Sequence, residues 1–206
     1  MNTIDAYKCP QAESSIKRGS MSKNNLNSTD ARIYKVIMTG VMMALIMVST
    51  MVIRIPLSFT GGYKHLGDAM IFLGVLLLGR NYGALAAGLG SSLADLIGGH
   101  AHWAPWTFVI KALMAFIVGL ALEHSEKKGR IGDGKIHFTE LLAMVLGGIE
   151  MTAGYYIASG LMRGDWYTPL LDVPGNIVQF VLGMVVAVLL ATTLYKTPAK
   201  KLFEIR

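Results

Sequence analysis

A lysine inside an apolar stretch is the first residue of this sequence whose type and position suggest chemistry. Lys111 lies within "PWTFVIKALMAFIVG", residues 105–119, and its immediate surroundings are almost entirely apolar. A charged side chain at the centre of a bilayer costs at least about 2.5–3.5 kcal/mol, and less near the bilayer edge. We therefore expect Lys111 either to pair with an acid inside a helix bundle or to contact a ligand.

Other polar side chains also lie within or at the ends of apolar stretches, namely Asp68, Asp95, Glu150, Asn176 and Gln179. Asp68 opens its stretch, where a carboxylate can cap a helix. Glu150 lies near the middle of its stretch, where it could relay protons or remain a neutral, hydrogen-bonded carboxyl. The pair His100 and His102 could begin a metal site, but no Cys or His cluster completes one, and we expect no metal.

Signatures of catalysis are missing from the sequence. It contains neither an H-E-x-x-H zinc motif nor a G-x-S-x-G nucleophile elbow. We therefore expect no enzymatic activity of the chain itself. Cys9 is the single cysteine, so no intramolecular disulfide can form.

The elements that must position these residues are membrane helices. The chain has 206 residues, of which 53% are hydrophobic and 16% are charged, and its 23 glycines are scattered through apolar stretches. This composition is typical of an integral membrane protein. Because a bilayer-crossing helix needs about 20 mostly apolar residues, we predict six spans in an all-α bundle, at about 33–53, 67–79, 81–97, 105–123, 139–161 and 175–195. Spans two and three are predicted to form a helical hairpin.

Lysine and arginine predict the orientation. With the amino terminus inside, the inner segments hold 15 of these residues and the outer segments hold 3, namely Arg54, Lys64 and Arg163. Both termini are therefore predicted to be cytoplasmic, and the net charge of +6 reflects topology rather than nucleic-acid binding. We expect a disordered cytoplasmic tail over 1–31, a membrane domain over 32–196 and a short basic tail over 197–206.

Helix geometry gives Lys111 a predicted partner. It follows Pro105 by six residues, so it should lie roughly 9 Å below the outer end of its helix. Asp95 closes span three, where the helix dipole opposes a carboxylate, while Lys111 is near a helix start, where the dipole opposes a cation. We predict an Asp95–Lys111 pair, which could position spans three and four or could contact the ligand.

Aromatic and imidazole side chains are concentrated in the segments predicted to lie at the outer end. With the amides of the last span, they suit a flat, hydroxylated heterocycle, since rings stack on aromatics and amides satisfy ring nitrogens and hydroxyls. Individually, the tryptophans and tyrosines could equally be interfacial belt residues. The predicted substrate-binding residues are Tyr63, His65, His102, Trp103, Trp106, Lys111, Asn176 and Gln179.

Small residues indicate close helix packing. Gly40 and Ala44 form a small-x-x-x-small pair on the first span. Such pairs let helix backbones approach closely in lipid, either within the bundle or against a partner subunit. The sequence pattern leaves both readings open.

The block "GGYKHLGDAMIFLGVLLLGRNYGALAAGLGSSLADLIGGHAHWAPWTFVIKALMAFIVG", residues 61–119, resembles the substrate-binding S component of energy-coupling factor (ECF) vitamin transporters. The segments "LGDAMIFLGVLLLG", "SSLADLIGG", "FVIKALMAFIVG" and "VPGNIVQ" carry the similarity, which extends over about residues 33–195. The sequence is most similar to the branch for hydroxymethylpyrimidine, pyridoxine-type compounds or riboflavin.

The resemblance implies a six-helix subunit of the prokaryotic plasma membrane that binds a water-soluble vitamin at its outer end. It also implies association with a membrane scaffold subunit and two ATPases, with Gly40 and Ala44 matching the small-residue motif that meets the scaffold. The chain has no G-x-x-x-x-G-K-[ST] loop, so ATP would be hydrolysed by the partners and no cofactor is expected in this subunit. The alternative hypothesis is a self-sufficient, proton-coupled secondary transporter or small channel that uses Glu150 or the Asp95–Lys111 pair.

Overall fold

The computed structural model describes residues 10–52, 54–56, 63–127 and 136–198 of the chain. Within these ranges it contains five α-helices: α1 (Pro10–Val52), α2 (Gly67–Ile97), α3 (Ala104–Lys127), α4 (Phe138–Arg163) and α5 (Val173–Tyr195). A short antiparallel pair, β1 (Arg54–Pro56) and β2 (Tyr63–His65), follows α1, and a 3-10 turn, Thr168–Asp172, precedes α5. All five helices contain segments long and apolar enough to cross a membrane.

The predicted second and third spans are one element in the structure, α2, which is broken at Gly79. Gly79 has φ 75° and ψ −172°, a conformation that residues with a side chain rarely adopt. Beyond the break the chain folds back. A Cβ on Gly83 would lie 2.9 Å from the Cα of Val75, although eight residues of straight helix would separate them by about 12 Å. The described residues thus form five helices, of which α2 consists of two adjacent arms that correspond to the predicted second and third spans.

The two arms of α2 form the centre of the bundle. Gly74 of the first arm packs against Met42 of α1, and Gly90 of the second arm packs against the Met43 carbonyl of the same helix. Helix α2 also contacts α3 and α5, and α4 packs between α3 and α5. In lipid, where apolar side chains gain little from leaving the solvent, such close approaches at glycine supply the packing that holds the helices together.

Helix α1 begins earlier than the sequence predicts. We expected residues 1–31 to be disordered, but α1 starts at Pro10; residues 1–9 lie outside the described part of the chain. Proline suits the first position of a helix. A segment joined to a stable membrane helix can extend it without a new nucleation step, so weak amphipathicity does not prevent helix formation. The predicted basic tail lies outside the described residues beyond residue 198.

Candidate functional site

Lys111 is fully buried and forms an ion pair with Asp68, in which its ammonium donates a hydrogen bond to Oδ1. Both side chains have no exposed surface. Asp68 lies in the first turn of α2, where the helix dipole favours a carboxylate. The Asp68 carboxylate accepts hydrogen bonds from side chains of other helices. Its role therefore goes beyond capping α2, the role considered from the sequence.

The remaining directions around the ammonium are also occupied. Lys111 Nζ lies 2.8 Å from the Met151 sulfur, a weak acceptor, and 5.5 Å from the centre of the Tyr155 ring. The negative face of an aromatic ring attracts a cation. Met151 and Tyr155 are one turn apart on α4, so this helix presents two complementary groups to the same charge.

The second oxygen of Asp68 binds α5. Gln179 Nε2 donates to Asp68 Oδ2 at 3.0 Å, and Gln179 is 5% exposed. A Cβ on Gly183 would lie 2.8 Å from the Asp68 Cβ, which shows how closely α5 approaches this point. The carboxylate of Asp68 therefore links α2, α3 and α5, with α4 joined through Met151, and we call Asp68, Lys111, Met151 and Gln179 the charge network.

The predicted pair of Asp95 with Lys111 is wrong, because the structure pairs Lys111 with Asp68. The physical reason is depth. Lys111 lies seven residues, or about 10 Å, beyond the start of α3, whereas Asp95 is only two residues, or about 3 Å, from the end of α2. Asp68 meets both Lys111 and Gln179, and Gln179 is itself six residues inside α5. The first arm of α2 therefore begins deeper in the bundle than α3 and α5 do.

The β-strand pair reaches the start of α5. Lys64 Nζ, on β2, donates to Asn176 Oδ1 at 2.6 Å. Burial lowers the pKa of the Lys64 ammonium, while the Asp172 and Asp68 carboxylates oppose this shift and Lys111 adds to it. Asn176 is 5% exposed. This contact joins β2 to the first turn of α5, three residues before Gln179 of the charge network.

A second polar cluster consists of Asp95, Thr107 and Tyr155, and it lies about one helical turn nearer the start of α3 than Lys111 does. The Tyr155 hydroxyl is 3.3 Å from Thr107 Oγ1, and Thr107 in turn hydrogen-bonds the Asp95 carboxylate. The Trp103 ring centre lies 6.0 Å from that of Tyr155. Tyr155 thus joins two clusters, because its ring faces Lys111 while its hydroxyl faces Thr107.

The structure brings together only part of the predicted substrate-binding set. Lys111, Asn176 and Gln179 converge as described, Trp103 joins them through Tyr155, and half-buried His65 lies beside the start of α2, its Nδ1 accepting from the Gly67 amide at 3.3 Å. His102 is exposed in the turn before α3. The Tyr63 side chain lies outside the described part of the structure.

Trp106 does not face the charge network. It belongs to the exposed stripe of α3 with Val109 and Leu113, whereas Thr107 and Lys111 lie on the buried side. The prediction that Trp106 lines the same site as Lys111 therefore does not match its position. An interfacial belt position, considered from sequence for the tryptophans as a class, suits this exposure.

Sequence reasoning did not assign Lys64, Thr107, Met151 or Tyr155 to the site. A signal was nevertheless present, since four of the five described helices contribute polar or polarisable residues three or four positions apart, which share one helix face. These pairs are Ser91 and Asp95, Thr107 and Lys111, Met151 and Tyr155, and Asn176 and Gln179. Searching for such pairs across all spans would have identified Thr107 and Tyr155.

The small-residue pair of α1 is exposed. Gly40 and Ala44 both lie on the outward stripe of the helix, and a Cβ on Gly40 would meet nothing within 4 Å among the described residues. In contrast, a Cβ on Gly90 would lie 2.8 Å from the Met43 carbonyl. Packing against the residues that the structure describes therefore does not account for Gly40.

Comparison with known families gives a match over most of the chain. The family model described as "ECF-type riboflavin transporter, S component" matches residues 30–196. Among solved structures, the S component for biotin from an ECF-type ABC transporter aligns with a TM-score of 0.62 and 20% identity, covering 84% of this chain and 97% of that one. At this identity the likeness concerns the fold.

Two relatives align over about two thirds of the chain. An uncharacterized protein in the gap 3' region of Pyrococcus woesei is 38% identical over 139 residues, which are 68% of this chain and 86% of the relative. The thiamine precursor transporter HmpT of Lactococcus lactis subsp. cremoris (strain MG1363) is 26% identical over 137 residues, 66% of this chain and 72% of the relative.

Proposed function

Because the chain belongs to the family of ECF-type riboflavin transporter S components, we propose that it captures a small vitamin or vitamin precursor at the outer end of its helix bundle. The observation that carries the proposal is the convergence of polar side chains from four helices and β2 at one end of the bundle. Binding sites of this kind combine apolar walls with a few well-placed polar groups.

The proposed substrate class is a hydroxymethylpyrimidine or a pyridoxine-like compound. The similarity to the Lactococcus lactis protein, a thiamine precursor transporter, supports it. Trp103 and Tyr155 supply aromatic surface, and Asn176 and Gln179 supply amides, which suits a small flat ring with hydroxyl or amino substituents. The large tricyclic ring of riboflavin is the main competitor within the family.

The proposed partners are a membrane scaffold subunit and two cytoplasmic ATPases. Family membership supports this assembly, and so does the exposed Gly40 and Ala44 stripe of α1. A prokaryotic plasma membrane, with both chain termini inside, is the corresponding location. The energy for import then comes from ATP hydrolysed by the partners, and the chain itself is a binding subunit.

The direct test is a binding screen of the purified chain with hydroxymethylpyrimidine, pyridoxine, riboflavin and thiamine. We expect stoichiometric binding of one small-ring compound. Transport into vesicles should then require ATP together with the scaffold and ATPase subunits. Proton-driven uptake by the chain alone would instead support the secondary transporter, for which Glu150 offers a buried carboxyl oxygen without a hydrogen-bond partner among the described residues.

Substitution of either α5 amide is expected to weaken this binding. Asn176→Ala and Gln179→Ala each remove a group from a desolvated site, and the loss of a buried hydrogen bond costs roughly 1–3 kcal/mol, or about five- to 150-fold in affinity. Isothermal titration of the isolated chain measures the effect. Val181→Ala, on the exposed face of the same helix, is the matched control. Affinities within twofold of the parent for both amide variants would place the ligand elsewhere.

A further inference from the structure

The carboxylate of Asp95 has a buried oxygen, Oδ2, that has no hydrogen-bond partner among the described residues. One turn earlier on the same helix, Ser91 Oγ is also buried without a hydrogen-bond partner among the described residues, and Ser91 is 2% exposed. Residues four apart share a helix face, so both atoms lie on one side of the second arm of α2. Buried polar groups are satisfied in more than nine cases in ten, and each exception needs an explanation.

The two carboxylates with an unpartnered buried oxygen, Asp95 and Glu150, need a donor more than the unpartnered hydroxyls do. The hydroxyls of Thr50, Ser91 and Ser159 can rotate to bond a carbonyl of their own helix. An ionised carboxylate only accepts, and at the carboxyl end of α2 the neighbouring backbone groups without partners are carbonyls, which also only accept. The helix dipole adds to the cost of a negative charge there. Neither the helix nor its dipole therefore compensates Asp95.

The surroundings of Asp95 connect it to the proposed substrate site. Its carboxylate accepts a hydrogen bond from the Thr107 hydroxyl, which in turn accepts one from the Tyr155 hydroxyl at 3.3 Å. The Tyr155 ring faces both Trp103 and Lys111. The charge network below is different in this respect, because both oxygens of Asp68 already have donors within the protein. Asp95 thus combines an acceptor oxygen that has no donor among the described residues with a position beside the aromatic pair of Trp103 and Tyr155.

We propose that Asp95 accepts a hydrogen bond from an amino group on a flat nitrogen heterocycle that stacks near Trp103 and Tyr155, with Ser91 as a secondary polar contact. This inference rests on the proposed function and specifies the substrate class of the same site. A carboxylate favours a ligand that offers N–H donors, since it has no proton to give to a ring carbonyl. Asp95 thereby selects aminated rings over rings whose edges carry only acceptors.

The test pairs a protein change with a ligand change. The probes are an aminopyrimidine carrying a hydroxymethyl group and the same ring with methyl in place of the amino group, titrated into the isolated chain. The parent should prefer the amino compound by about ten- to 100-fold, the range for a hydrogen bond to a charged group. In Asp95→Asn the preference should fall to about threefold or less, and Ser91→Ala should show a smaller decrease.

The control is Glu123→Gln, which makes the same carboxylate-to-amide change near the other end of α3, where Glu123 pairs with Arg80 at 3.3 Å. It should keep the full preference for the amino compound. If Asp95→Asn also keeps that preference, or if the parent does not distinguish the two rings, the inference is overturned. If the parent binds neither ring nor any of the four vitamins, the proposed function itself fails, so the two failures differ.

Discussion

Lys111→Met is expected to destabilise the isolated chain by about 3–5 kcal/mol, the usual cost of breaking a buried ion pair from one side. The reason is that Asp68 would remain as a buried carboxylate with only the Gln179 donor. Thermal unfolding of the purified protein in detergent measures the effect as a lowered Tm. If the variant is too unstable to purify, its stability can be compared with that of the parent in membranes, from the temperature at which each protein aggregates.

Two double variants identify the partner of Lys111. Lys111→Met with Asp68→Asn leaves neither charge stranded and should recover much of the lost stability, because the amide keeps an acceptor near Gln179. Lys111→Met with Asp95→Asn should recover none, since Asp95 lies about one turn higher and bonds Thr107. Recovery only in the second variant would contradict the pairing seen in the structure.

Ligand affinity of the stable double variant then defines the role of the charge network. We expect affinity to be retained, because the ammonium is already surrounded by Asp68, Met151 and Tyr155. The pair would then act as a support that fixes α2, α3 and α5 relative to each other. A folded double variant that has lost binding would make Lys111 or Asp68 a ligand contact.

Gly40→Leu or Ala44→Leu is expected to abolish uptake by the assembled transporter while the isolated chain still binds its ligand. Both residues are exposed, and a side chain on Gly40 has open space around it in the isolated chain. A leucine would therefore fold without strain but would prevent close approach of a partner helix. Vesicle uptake with the scaffold and ATPase subunits, compared with titration of the chain alone, separates the two effects.

Two controls bracket this result. Val181→Leu, on the exposed face of α5, should leave uptake unchanged. Gly90→Leu should destabilise the isolated chain itself, because even a Cβ would lie 2.8 Å from the Met43 carbonyl. Normal uptake by both α1 variants would show that the exposed stripe faces lipid only.

The sequence by itself determined the membrane character, the approximate spans and the presence of polar residues that need partners. These properties are local, since hydrophobicity, segment length and residue type are independent of how the helices meet. The resemblance in residues 61–119 also identified the family that the match over residues 30–196 confirms. Lys111 and Gln179, both predicted to bind the substrate, contact the same carboxylate, that of Asp68, and their role in binding stays a prediction.

Tertiary structure alone decided which acid meets Lys111. From the sequence, Asp68 and Asp95 were placed at the same membrane surface, and Asp95 was chosen because the dipole of its helix disfavours a carboxylate there. In the structure, the reversal at Gly79 and the close approach of Gly183 to Asp68 set the first arm of α2 deeper in the bundle. Relative depth depends on backbone contacts between distant residues, so no local pattern encodes it, and a shift of about one helical turn changes which charges touch.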